Sequence, residues 1–392
     1  MLLKSKRLLY LFLLKFTLSY FILEIKMSGK KYSSVHYSNY LQLEKLLDSQ
    51  HLRSAELGEP AHDEMLFIII HQSYELWFKQ IIHELTSIMD MLSSDVFDEK
   101  DVGRAFLRLK RIVEIQKLLI DKIKILETLT PLDFLEFRNY LIPASGFQSF
   151  QFRVAEVAMG LKPEMRTSYN NKVYSKEFTP EQQEYLHKLE NGASLFDLLE
   201  KWLERLPFLE NNNNWDFVTE YLSAVEKMTA SEEKVIRDTA YIDDKAKELR
   251  IKMLHQNKNY IDASLNETEH KKLIESGDAK LSYKATVALL MINLYRDEPL
   301  LRMPYNMLNM ITEMDEQFTL YRYRHAQMVM RILGRKMGTG GSSGYDYLMK
   351  TVMDHQIFKD FHNASTLMIS RKELPELPAE IIRNLGFTFN SK

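Results

Sequence analysis

One stripe constrains the fold more than anything else in this chain. Met314, Phe318, Tyr321, His325, Met328 and Ile332 recur at steps of 4, 3, 4, 3 and 4 residues, the period of one helix face. The pattern predicts a long helix over residues 306–337 with a histidine on its apolar side. Beyond it lies a loop, Gly338–Tyr345, holding four of the chain's 13 glycines. A buried imidazole is a potential metal ligand, and glycine lets backbone approach a bound molecule closely. Together they point to a cofactor pocket closed by a loop.

Similar spacing recurs elsewhere. Phe67, His71, Tyr74, Phe78 and Ile81 or Ile82 form the stripe of a second long helix, predicted from His62 to about Leu92. A third runs from Val102 to Leu126. Thr130-Pro131 forms a favourable N-cap and first-position pair for a helix carrying Phe134 and Arg138, which Pro143 interrupts. Helical spacing resumes over Gly146–Gly160, and Tyr37–Gln50 reads as one short amphipathic helix. Residues 163–280 are more polar and read as a peripheral helical insertion. Pro299 and Pro304 punctuate the approach to the histidine-bearing helix, and residues 375–392 read as a loosely held tail. Ten prolines and 13 glycines in 392 residues leave room for long helices and favour an all-α protein.

Composition closes several routes. With no cysteine, disulfides, thiol nucleophiles, cysteine zinc sites, iron–sulfur clusters and thiolate-ligated haem are excluded. Any metal falls to His, carboxylates, Tyr or Met. A net charge of −2 gives no electrostatic footprint for nucleic acid. Residues 1–26 differ in kind: Leu8–Leu23 is apolar apart from Lys15 and follows Lys4, Lys6 and Arg7. That leader resembles a signal sequence or short anchor, although 16 residues is short for a span and no cleavage site follows. Met27 begins a second plausible start, so a dispensable leader is the preferred reading. Membrane contact is expected only if the leader is real. Two sequons, at Asn266 and Asn363, would suit a secreted chain; the cysteine-free body agrees better with the cytoplasm.

Either His71 or His325 alone reads most simply as a core histidine bonded to backbone. Two of them, on separate apolar stripes, make ligation or catalysis competitive. Haem suits this inventory, with one neutral imidazole below the iron and an aromatic, polar pocket above it. Zinc suits it less, since HExxH is absent. Arg138, on the face that carries Phe134, either pairs with a structural carboxylate or captures a substrate carboxylate. The glycine loop lacks the GK[ST] of a phosphate loop; Thr339, Ser342 and Ser343 are its hydrogen-bonding groups. A rival constellation has ExxH spacing at Glu59–His62, Glu184–His187 and Glu267–His270, as in di-iron bundles. Glu59 precedes a proline and the other pairs lie in polar segments, so solvated helix faces explain them better.

Four segments carry a resemblance: Phe67–Ile81 (FIIIHQSYELWFKQI), Ile125–Arg153, Leu281–Pro299 and Arg322–Leu348 (RYRHAQMVMRILG…GTGGSSGYDYL). In colinear order over roughly residues 35–375, the chain closely resembles the tryptophan 2,3-dioxygenases. The resemblance implies a large helical bundle enclosing haem b, one per subunit. It implies insertion of both atoms of O2 across the indole C2–C3 bond of L-tryptophan, giving N-formylkynurenine. Carried over by motif, His325 is the proximal iron ligand, and His71 the distal, catalytic histidine that contacts the indole N–H. Phe67 and Phe134 wall the indole, Arg138 binds the substrate carboxylate, and Thr339 meets its ammonium and carboxylate. Ser145 and Gly340 lie beside the cofactor. Tyr37, Tyr40 and Leu41 act in a neighbouring subunit's pocket within a homotetramer, a dimer of dimers.

On this reading residues 27–60 form an intersubunit arm. Residues 61–162 and 281–374 form the two parts of the catalytic core, with 163–280 as the insertion. Departures from the family pattern are Tyr321, where tryptophan is usual, and Arg324, where asparagine is usual. A haem-based sensor that kept the pocket without turnover is the alternative, disfavoured by intact His71, Arg138 and Thr339. WLERLP at Trp202–Pro207 resembles the family's regulatory surface segment, and an amphipathic surface helix explains it equally well.

Overall fold

The computed structural model describes residues 34–166, 178–207, 215–336 and 344–386. The leader and the stretch from Met337 to Ser343, with Thr339 and Gly340, lie outside the described residues. Among those described, the elements are α-helices and short 3-10 turns, with no β-strand. None of these helices is long and apolar enough to cross a membrane.

The chain divides into two compact units, Met1–His51 and Leu52–Lys392. The described part of the first holds α1 (Tyr37–Leu41) and α2 (Leu43–Leu47), where the sequence predicts one helix over Tyr37–Gln50. Gln42 breaks it by adopting a left-handed conformation, φ 52°. Its side-chain amide donates to the Asn39 carbonyl at 2.6 Å, satisfying an oxygen that the broken helix leaves open.

The second unit begins with α3 (Arg53–Glu56), the 29-residue α4 (Glu64–Leu92) and α5 (Glu99–Leu126). Glu64, 1% exposed, ties the first two together by accepting from the Arg53 and Ser54 amides at 2.8 and 3.0 Å. Asp98 caps α5 through the amides of Lys100 and Asp101. Next comes α6 (Pro131–Arg138), where Thr130 and Asp133 form a reciprocal capping box with proline at the first position. A 3-10 turn and Pro143 end that run. Ser145 and Ser149 then cap a 3-10 turn and α7 (Phe150–Met159) in succession.

Within residues 163–280 lie α8 (Pro180–Glu190), α9 (Leu195–Glu204), α10 (Phe217–Asp238), α11 (Asp244–Ser264) and α12 (Glu267–Ser276). This stretch is polar outside yet contributes to the core: Leu195, Leu199, Tyr221, Val225 and Ile261 are fully buried. Helix α13 (Tyr283–Leu294) is apolar all round and is buried accordingly.

The histidine-bearing helix, α14, runs over Pro299–Leu333 and is longer than the stripe suggested. Pro299 occupies its first position, where a missing N–H costs nothing. Pro304 lies inside it and forfeits a single backbone bond without stopping the helix. Packing supplies the reason: Met307, Ile311 and Met314 are fully buried, and Gln116 of α5 donates to the Met314 carbonyl at 3.0 Å. Asp315, also buried, accepts from the amides of Ile357 and Phe358. After α15 (Gly344–Asp354) and α16 (Lys359–Asn363), the last described helix is α17 (Ala379–Asn384). The expected loose tail is docked over its described part, since Leu385 is fully buried and its carbonyl accepts from Leu300.

Candidate active site

Helices α4, α5, α6, α7, α14 and α15 surround a cavity of about 290 Å³. One wall is apolar: Ile70, Tyr74, Phe78, Ile123, Leu126, Met328 and Ile332 all line it. Tyr74 keeps that wall dry by donating its buried hydroxyl to the Leu119 carbonyl at 2.6 Å. His71 and His325 enter the same cavity from α4 and α14. Each sits at the helical register that buries its neighbours one turn away.

The two imidazoles are neutral at physiological pH. Burial, with the adjacent His71, pushes His325 down to about 4. Burial lowers His71 as well, against the opposing pull of the Phe67 carbonyl and Glu75. The His71 ring leaves much of its surface open, but towards the cavity, which is why it is accessible and desolvated at once. Its Nδ1 lies 2.7 Å from the Phe67 carbonyl oxygen. A carbonyl has no proton to give, so Nδ1 carries the hydrogen and donates it. The lone pair is therefore on Nε2.

Aromatic contacts set the cavity's remaining shape. Phe67 lies 4.1 Å from the His71 ring and 5.6 Å from Phe134. Tyr321 stacks on His325 with the rings within 3° of parallel and their centroids 6.0 Å apart. Arg138, at the last turn of α6, lines the cavity beside Phe134. Ser145 and Gly344 also line it; the latter is the first described residue of the expected Gly338–Tyr345 loop and already begins α15. Glu75, one turn after His71, accepts from Ser149 at 2.6 Å and Gln151 at 3.1 Å. That pair fastens the Ser145–Ser149 segment to α4.

Part of the cavity lining is charged. Glu156, fully buried, accepts from Arg153 at 2.7 Å, Arg166 at 3.0 Å and Arg322 at 3.0 Å. His355 Nδ1 stands 3.6 Å from the same carboxylate. Burial works against the Glu156 charge, yet these cationic neighbours and the His355 hydrogen bond hold its carboxyl well below the usual range. Within the cluster three guanidiniums meet one carboxylate. Arg153, Arg322 and His355 border the cavity.

Sequence spacing singled out the residues of the apolar wall and missed this cluster, whose members are spread from residue 153 to 355. One signal was present: Arg153 and Glu156 lie in FQFRVAEVAMG, a helix otherwise almost free of charge. Tyr37, Tyr40 and Leu41 belong to the first unit and are exposed, 70%, 76% and 41%. The departure at Arg324 is paired with Glu127 at 3.2 Å. The ExxH pairs gain no metal-binding geometry. Glu59 accepts from Tyr140, Glu184 and Glu267 pair with lysines, and His270 Nε2 donates to the Leu281 carbonyl at 2.9 Å. Among the described residues no three His, Asp or Glu side chains are grouped to hold a metal ion.

Fold and site define a class: an all-helical protein whose largely apolar cavity is lined by two neutral imidazoles and an arginine. The chain belongs to the tryptophan 2,3-dioxygenase family, whose model matches residues 25–368. A tryptophan 2,3-dioxygenase of Bdellovibrio bacteriovorus is 45% identical over 361 residues, 92% of this chain and 100% of that protein. That of Alteromonas mediterranea is 42% identical, covering 91% of this chain and 99% of its own length. The Dictyostelium discoideum enzyme is 44% identical, with 91% and 89% covered.

Proposed function

We propose that this chain is a haem-dependent dioxygenase that inserts both atoms of O2 across the indole C2–C3 bond of L-tryptophan, giving N-formylkynurenine. Family membership supports the reaction. The observation that supports the residue roles is the meeting of His71, Arg138 and His325 on one apolar cavity.

The residues present fit haem b. His325 offers a neutral nitrogen, the only form that ligates iron. The apolar wall suits the flat macrocycle, and the wall bearing Arg153 and Arg322 suits its carboxylates. Ser145 and Gly340 would lie beside it. When bound, ferrous haem supplies the iron at which O2 reacts.

The protein's own part is binding, orientation and exclusion of water. Phe67 and Phe134 hold the indole between aromatic faces. His71 Nε2, carrying its lone pair into the cavity, accepts from the indole N–H and fixes the C2–C3 edge. Holding that proton is its task, because an indole N–H is too weak an acid for ready transfer to a neutral imidazole. Arg138 takes the substrate carboxylate through two parallel hydrogen bonds, and Thr339 takes the ammonium and carboxylate. The exposed Tyr37, Tyr40 and Leu41 complete the pocket of a neighbouring copy in a homotetrameric dimer of dimers, which buries rings otherwise left in water.

The test is direct. Purified protein supplied with haem and reduced converts L-tryptophan in air to N-formylkynurenine, identified by mass. Protein that takes up no haem defeats the proposal.

A further inference from the structure

One hydroxyl at the cavity has no hydrogen-bond partner among the described residues. Tyr321 lines the cavity, and among the described residues none accepts a hydrogen bond from its phenol. The ring is fixed on every side. It stacks on His325 and lies 6.0 Å from Tyr74, 6.2 Å from Phe78 and 5.8 Å from Phe152. With no protein acceptor among the described residues, the hydroxyl is left for whatever the cavity holds, water or a bound molecule.

The surroundings say what kind of acceptor. The nearby Glu75 accepts from Ser149 and Gln151 and takes no hydrogen bond from Tyr321. The neighbouring wall carries Arg153 and Arg322, so an anionic oxygen entering the cavity is favoured there. The substrate carboxylate is assigned to Arg138. The remaining anionic oxygens are those of the macrocycle.

We infer that Tyr321 is a cofactor-binding residue that donates its phenolic O–H to a carboxylate of the bound haem. The inference rests on the haem reading above. A phenol bonded to a carboxylate is a charge-assisted pair, about twice as strong as a neutral one.

Tyr321→Phe tests it, since the change keeps the ring and its stacking and removes only the hydroxyl. Haem-loaded variant should release haem to an apo-globin acceptor about tenfold faster than the unsubstituted protein. Its resonance Raman propionate-bending band should shift, while the thermal midpoint of the haem-free protein stays the same. An unchanged release rate with an unchanged band overturns the inference. So does a lowered haem-free midpoint with an unchanged band, which marks a packing role. Unsubstituted protein that never acquires a Soret band defeats the haem reading itself, a failure visible before any variant is made.

Discussion

The two walls of the cavity bury polar groups in opposite ways. On the charged wall, Glu156 engages three arginines, at 2.7 to 3.0 Å. On the apolar wall, His71 spends one nitrogen on Phe67 and turns the other to the cavity, while His325 is stripped of water and kept neutral. The first arrangement holds helices together; the second holds chemistry open. Buried polarity is therefore not one signal. What distinguishes a structural cluster from a site is where its last lone pairs and protons point.

Substitutions should separate the two walls. The largest effect belongs to His325→Ala: haem retention and tryptophan turnover fall by about three orders of magnitude or more, read from the Soret band and product formation, as expected when an iron ligand is lost. Arg138→Ala should lower kcat/KM about a hundredfold, roughly 3 kcal/mol, by removing one partner of a desolvated charge pair. Its haem content should not change.

Glu156→Ala should act the other way round. Leaving buried guanidiniums without their carboxylate costs about 3–5 kcal/mol of stability, measurable by denaturant unfolding. If that variant unfolds at the same denaturant concentration as the parent, the charged wall is not structural.

A smaller effect concerns pH. His325 has a folded pKa of about 4 against 6.5 for the free group, and His71 is lowered too. The unfolded chain thus binds more protons between those values, and haem-free stability rises with pH from about 4 to 6.5. Glu156, also depressed, contributes in the same direction at lower pH. His362, raised chiefly by its hydrogen bond to Asp315, opposes it. In His325→Ala the acid-side slope should flatten. The smallest effect is Arg324→Ala, which removes a partly exposed pair with Glu127 and should cost under about 1 kcal/mol.

How far the sequence carried these conclusions depends on the kind of interaction. The stripes through His71 and His325 were readable because a helix face repeats locally. The Thr130-Pro131 start was readable because a cap is made by adjacent residues. The break at Gln42 was not, since a left-handed glutamine carries no compositional mark. Pro304 misled as a stop signal, because its neighbours Met307 and Ile311 are buried deeply enough to carry the helix through. The docked Leu385 and the Glu156 cluster depend on contacts between distant segments, which no spacing rule encodes. Among the site residues, His71, Phe67, Phe134, Arg138, Ser145 and His325 meet on one cavity. Thr339 and Gly340 lie outside the described residues, and motif alone speaks for them.

The central claim is that the cavity between α4 and α14 binds haem for tryptophan oxidation. The absorbance spectrum of the ferrous protein, taken before and after adding L-tryptophan under air, tests it most directly. The account predicts a Soret band at about one haem per chain, with N-formylkynurenine accumulating as tryptophan is consumed. A spectrum with no Soret band, or haem-loaded protein that leaves tryptophan untouched, contradicts it.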